Sequence, residues 1–413
     1  MKTTIRILAA LTLLASAHAA DDFLDRMSDA LTVNAFDGNV RARFSGLLDL
    51  EGYILSRPAP GLFFTEKRDL FNPRATVFLD GQIGSRVYLF AQARADRGFD
   101  PGYRDARVAL DEYALRITPW DDGRFSFQVG KFATVVGNWT TRHDSWTNPF
   151  LTAPLPYENL TGIWDSSAVD SYDTLQYWAH VSPGHLSGAV PDDVSDKRLR
   201  LPVIWGPSYT SGLSVAGRIG KVEYAAEVKN ASLSSRPDVW DGTVQQWQHP
   251  TVSGRLGFRP NEMWSLGFSA SAGTYLLPAA KFEIAPGSSL ADYREIVLGQ
   301  DIGFAWHRWQ VWAEFFETRF EIPGVGNADN FAYYIEAKYK FTPQLFGALR
   351  WNQQLYSTMD GERIGRDICR LDAALGYRFT AHTQLKLQYS LQHEDTAPKG
   401  YAHTLGAQFT VKF

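Results

Sequence analysis

The segment Tyr401–Phe413 reads YAHTLGAQFTVKF. Counted back from Phe413, the residues Val411, Phe409, Ala407 and Leu405 fall on one face, and Lys412, Thr410, Gln408 and Thr404 fall on the other. Strict alternation is the period of a β-strand with one apolar and one polar side. An edge strand of a soluble sheet would carry the same pattern, so the rest of the chain has to decide what the apolar side faces.

Working outward, the same period begins at Val40, where Ala42, Phe44, Leu48 and Leu50 oppose Arg41, Arg43, Asp49 and Glu51. It returns over Arg74–Asp80, Arg86–Asp96, Val108–Thr118 and Phe125–Phe132, with a parity slip at Asp111-Glu112 that reads as a bulge. Beyond residue 209, tight connections at Gly220-Lys221, 260–262, His307-Arg308, Thr342-Pro343 and 381–383 alternate with longer ones. The longer ones span 232–248, 276–292, 321–329, 357–367 and 395–400. This rhythm predicts an all-β, antiparallel transmembrane β-barrel of about 16 strands, with short turns on the periplasmic side and long loops outside. One continuous chain has no helical layer to cover so large an apolar face. In lipid every backbone donor and acceptor must be bonded internally, so the sheet has to close. No blade repeat of about 40–50 residues supports a propeller, and no uninterrupted apolar run of about 18 residues supports helical membrane spans.

The 413 residues include 34 glycines and 14% aromatics, and the mean hydropathy is −0.24. Residues 1–19 carry Lys2 and Arg6, an apolar core from Ile7 to Ala17, and the small-x-small site Ala17-His18-Ala19. This is the pattern of a signal peptide for Sec export. Removing Lys2 and Arg6 takes 41 basic residues to 39 against 45 acidic ones, a net charge of −6. So mild a balance excludes nucleic acid as a natural partner. The single cysteine, Cys369, cannot make an internal disulfide. Residues 20–39 form a periplasmic N-terminal segment in which Phe23, Leu24, Met27, Ala30 and Leu31 share a helical face, with Asp21 or Asp22 as cap. Residues 40–413 form the barrel. Tyr53, Trp120, Trp264, Trp306, Trp309, Tyr339, Trp351, Tyr356 and Tyr377 stand near strand ends, as interfacial girdles require.

A strand ending at a terminal phenylalanine resembles the closing strand of Gram-negative outer-membrane β-barrels, where such a segment is the assembly signal; here that role falls to Phe413, Val411 and Phe409. The layout as a whole resembles general and phosphate-selective porins. That resemblance implies an outer-membrane channel for small hydrophilic solutes, surrounded by lipid and lipopolysaccharide, assembled by the barrel-assembly machinery, as a homotrimer. It also implies that the long stretch from Ala133 to about Tyr209, after the fifth strand and its VGKF motif (Val129–Phe132), folds inward to narrow the pore. Its candidate lining residues are Arg142, His143, Asp144, Glu158, Asp165, Asp170 and Asp173. Within it, Thr174–Val181 and Leu199–Trp205 offer a further strand pair, which would make eighteen strands.

Parity places Arg41, Arg43, Arg74, Arg86, Arg94, Arg116, Arg218, Arg255, Arg350, Arg370, Glu336 and Asp372 on the inward faces as pore-lining candidates. Acids such as Asp49, Glu51, Asp80 and Asp96 join them, and the modest excess of bases suggests slight anion preference. No catalytic or metal-binding constellation is legible. There is no HExxH or GxSxG, and His307, His393 and His403 lack a nucleophile and orienting group nearby in sequence. No cofactor is implied. Two alternatives stay open: a structural or adhesive barrel whose long segment lies outside, and an outer-membrane hydrolase.

Overall fold

The alternation at the C-terminal end forms the strand that closes a barrel. The computed structural model describes residues 23–57, 61–62, 68–96, 106–180, 200–243, 247–359, 361–395 and 400–413. The expected signal peptide and the Asp21 and Asp22 caps lie outside them. After a short strand β1 (Thr32–Ala35) come β2 (Val40–Leu55), β3 (Asp69–Ile83), β4 (Val87–Asp96), β5 (Arg107–Ile117) and β6 (Ser126–Phe132). Next are β7 (Thr210–Ile219), β8 (Val222–Lys229), β9 (Thr251–Phe258), β10 (Trp264–Thr274), β11 (Arg294–Trp306), β12 (Trp309–Ile322), β13 (Gly326–Lys340) and β14 (Leu345–Tyr356). The small hairpin β15 (Thr358–Met359) and β16 (Glu362–Arg363) precedes β17 (Ile368–Arg378), β18 (Thr383–Glu394) and β19 (Tyr401–Lys412). Without β1, β15 and β16, sixteen strands pair with their sequence neighbours, all antiparallel, and β19 pairs with β2 from Lys412↔Leu47 to Thr404↔Leu55. The seam is finished by Phe413, which exchanges backbone hydrogen bonds of 3.1 and 3.0 Å with Gly46. Its ring occupies the space a Cβ at Gly46 would need.

The two-residue period sorts side chains as expected. Leu48, Leu50, Leu89, Leu349, Leu375, Leu387 and Leu405 are exposed on the outer face, while Asp49, Glu51, Arg94, Glu336, Arg350 and Asp372 are buried inside. The parity slip is a bulge: Gln92 faces Glu112 and Ala93 faces Leu110, leaving Asp111 as the extra residue. Aromatic pairs ring the short-turn end on the outside, among them Trp264–Phe304, Trp309–Tyr339 and Tyr377–Phe379, with ring centroids 4.6–5.1 Å apart. Tyr53 and Tyr356 depart from that girdle; both are turned inward, where Tyr53 bonds Glu51 and Tyr356 bonds Gln354.

A helix α1 (residues 23–30) precedes β1, which pairs with Val40–Arg43 of β2. Asp25 on α1 reaches His382 at 2.8 Å, and Arg43 reaches Ser28 at 3.1 Å, so the N-terminal segment is tied to the short-turn rim beside the seam.

Two expectations fail. Residues 321–329 are not a long loop: β12 runs to Ile322 and β13 starts at Gly326. Nor do the described residues of Thr174–Val181 and Leu199–Trp205 form a further strand pair. Tyr172–His180 is helix α3, and the described part of 199–205 makes only an isolated bridge, Trp164↔Arg200. The helix wins because Ser171 Oγ accepts the Thr174 N–H and Asp170 accepts the Thr174 hydroxyl, a local start signal. Its Leu175 and Trp178, three residues apart, then reach one apolar cluster.

Candidate functional site

Between β6 and β7 the chain enters the barrel and sweeps around its wall strand by strand. Thr134 donates to Glu227 on β8 at 2.6 Å. The Asn138 side chain donates to Asp301 on β11 at 3.2 Å, and Asp301 is itself forked by Arg255 at 2.7 and 2.9 Å. Glu314 on β12 accepts the backbone N–H groups of Asn138 and Trp139 and, at 2.9 Å, the Tyr157 hydroxyl. Arg142 meets Glu336 on β13 at 2.7 Å and the Tyr334 hydroxyl at 2.8 Å, with its guanidinium over Trp312. Arg350 on β14 meets Asp372 on β17 at 2.9 Å and donates to Thr152 O, Thr152 Oγ1 and Ala153 O at 3.0, 3.0 and 3.2 Å. Arg370 meets Glu158 and Asp372 and donates to Ala153 O. Lys386 on β18 donates to Ser145 O and Asn148 O at 2.7 and 2.9 Å.

These partners explain how so many ionisable groups tolerate burial. A buried charge is costly unless it is paired and hydrogen-bonded, and here wall charges pair with one another, as Arg255 does with Asp301, and with the segment's backbone and opposite charges. The short helix α2 (Leu155–Glu158) sits within this docked part. The outer part of the segment builds an apolar core with the neighbouring loops and the end of β12: Leu160, Ile163, Leu175, Trp205 and Tyr209 pack with Trp240, Leu276, Leu290 and Phe320. One side of the barrel is therefore filled.

The other side stays open. A cavity with about 120 Å³ of water-accessible space lies between the segment and the wall formed by β19, β2, β3 and β4. The wall contributes Asp49, Glu51, Asn72, Arg74, Gln92, Arg94, Asp96 and Gln408; the segment contributes His143, Asp144, Ser145, Phe150 and Glu158. Arg74 is held by Asp49 at 3.1 Å and Glu51 at 2.5 Å. Arg94 is held by Asp111 at 2.7 Å and Asp96 at 3.4 Å. Toward the short-turn end a second hollow shares Phe78 and Gln92 with this cavity and adds Asp80, Tyr88, Phe90, Glu112 and Arg116.

The expected lining residues thus divide. Arg74 and Arg94 line the cavity, with His143, Asp144 and Glu158 from the segment. Arg116 lines the inner hollow, beside Tyr88 and Phe90. Arg142, Arg255, Arg350, Arg370, Glu336 and Asp372 are engaged between the segment and the filled side of the wall, outside the cavity's lining. Arg41, Arg43, Arg86 and Arg218 are exposed near the short-turn end. Asp165 is buried and bidentate with Arg236 at 2.8 and 2.9 Å, joining two loops. Asp170 and Asp173 belong to the start of α3 and do not line the cavity. The residues that parity had marked as inward without singling out, Asp49, Glu51 and Asp96, turn out to form the open wall. Their signal was the alternation itself.

Burial shifts the segment's own titrations. His143 is lowered, because burial of its ring outweighs the opposing contact with Thr140 O. Asp165 is raised to about 6, because burial outweighs the attraction of Arg236.

Of the histidines considered as bases, His403 faces the Tyr389 hydroxyl at 2.8 Å and His393 lies 3.5 Å from Asp395. Among the described residues, no cluster of three or more His, Cys, Asp or Glu side chains could hold a metal ion.

No protein-family model and no curated protein matches the sequence. Solved structures do. The chain resembles OmpF of Salmonella typhi, solved with daunomycin, at 11% identity and a TM-score of 0.56, over 92% of this chain and 100% of that one. The fold is that of the outer-membrane porins. An anion-selective porin from Comamonas acidovorans matches at 8% identity and a TM-score of 0.55, over 91% and 100%. The outer-membrane channel DcaP of Acinetobacter baumannii matches at 10% identity and a TM-score of 0.53, over 92% and 100%. At such identities the likeness concerns the barrel and says nothing of the solute.

Proposed function

We propose that this chain is an outer-membrane porin, a passive diffusion channel for small hydrophilic solutes. The observation that carries the proposal is the open cavity beside a segment docked inside the barrel. A closed barrel in lipid needs no cavity for stability, and an adhesive barrel has no use for a segment bonded to the inner wall of strand after strand. The apolar belt and its aromatic rim suit contact with outer-membrane lipid and lipopolysaccharide. The Phe413–Gly46 seam suits Phe413, Val411 and Phe409 as an assembly signal read by the barrel-assembly machinery. Export through the Sec pathway and a homotrimeric assembly belong to the same proposal. No step of bond chemistry is part of it.

The test is planar-bilayer conductance of the refolded mature chain, with and without residues 138–173. A channel narrowed by the segment conducts discretely and conducts more after the deletion. A barrel that serves adhesion shows no change in conductance and loses surface binding instead.

A further inference from the structure

Which solutes pass is set by the side chains that the docked segment leaves uncovered. The strands supply acids and bases together, but the segment sorts them. Arg142, Arg350 and Arg370 end against carboxylates on the filled side, and Lys386 is spent on the backbone carbonyls of Ser145 and Asn148. Among the described residues the uncovered wall keeps two guanidinium groups, Arg74 and Arg94, and each lies between two carboxylates. The cavity's lining, among the described residues, therefore holds Asp49, Glu51, Asp96 and Asp144 against those two cations, besides Glu158, which is already paired with Arg370.

A second, independent observation concerns neutral groups. Glu51 accepts the amide N–H groups of both Asn72, at 3.3 Å, and Gln408, at 2.5 Å. Each amide nitrogen thereby spends one of its two N–H groups. Asn72 Oδ1 and Gln408 Oε1 are buried and have no donor among the described residues, although both side chains line the same cavity. A buried acceptor without a donor is unusual in a native protein. The wall has buried acceptors without donors beside its carboxylates, which is the chemistry that receives hydrated cations and ammonium groups and disfavours anions.

We infer that this passage selects small cations over small anions, through the wall of Asp49, Glu51, Asn72, Asp96 and Gln408. The inference rests on the channel function proposed above, and it runs opposite to the slight anion preference that the strand arginines suggest when read without the segment. One uncompensated charge about 10 Å from a solute path in water-like surroundings changes ion occupancy about twofold. With more than one in excess, the expected K⁺/Cl⁻ permeability ratio is about two to five, rising as salt is lowered and screening weakens.

The experiment uses the mature chain in a planar bilayer with unequal KCl on the two sides. A reversal potential on the cation side, with a ratio of about two or more, is expected; a ratio at or below one overturns the inference while leaving the channel intact. Absence of any conductance refutes the channel, and the inference with it. Asp96→Asn keeps the shape of the wall and leaves Arg94 its partner Asp111, so the barrel is expected to fold. This variant is expected to lower the ratio about twofold, and an unchanged ratio overturns the assignment to this wall. Measuring wild type at falling KCl is a second check that needs no variant: a cation preference that fails to rise also counts against it.

Discussion

Arg350→Ala is the sharpest probe of how the inner segment is held. The side chain is fully buried, its guanidinium donates three hydrogen bonds into Thr152 and Ala153, and it lies over the Phe150 ring at 4.3 Å. Removing one partner of a buried charge pair costs about 3–5 kcal/mol. Part of that falls on the wall, where Asp372 keeps Arg370 and the Ser390 hydroxyl. Assigning roughly half to docking leaves about 2 kcal/mol, since hydrogen bonds from charged groups are worth ~1.5–3 kcal/mol in such settings. At about 1.4 kcal/mol per tenfold, the undocked population rises roughly thirtyfold. The backbone ladders β13–β14 and β14–β17 do not involve this side chain, so the barrel should keep its resistance to heat and detergent. The assay is single-channel recording combined with limited proteolysis of the segment. Larger or noisier openings and faster cleavage within residues 138–173 are expected, with Arg350→Lys in between, because an ammonium cannot reproduce the guanidinium fork. A variant with wild-type conductance, noise and cleavage rate would falsify the docking described here.

Two other perturbations address the seam and the loops. Gly46→Val is expected to cost about 1–3 kcal/mol by forcing the Phe413 ring out of its place, read as a lower temperature for the heat-induced mobility shift on gels; Gly52→Ala, whose added carbon would meet nothing within 4 Å, is the control and should be silent. Asp165, with its pKa raised from 3.8 to about 6 in the folded chain, holds a proton there that the unfolded chain has lost. Its stabilising contribution is therefore complete below about pH 4 and lost as pH climbs through about 6. Protease resistance of the loop core should be higher at pH 5 than at pH 7, and Asp165→Asn should flatten that difference; a wild-type trend in the reverse direction contradicts the assignment.

The amino-acid sequence determined the barrel. Each strand residue meets the same kind of surroundings as the residue two places on, so the two solvents are written into local alternation, and Tyr401–Phe413 suffices to show it. The bulge at Asp111 was legible because an extra residue flips parity, and the infolded segment was legible because no turn needs so many residues. Helix α3 was not, since Thr174–Val181 is rich in strand-compatible side chains and its fate turned on hydrogen bonds at Ser171 and Asp170. The charge of the passage was likewise beyond local reading. Arg142 and Glu336 stand 194 residues apart, Glu158 and Arg370 212, and Ser145 and Lys386 241. Inward parity says only that a side chain points into the lumen. Whether it faces water or the backbone of a returning segment is a long-range pairing, fixed by where that segment finds partners for its own polar groups, and only the folded chain decides it.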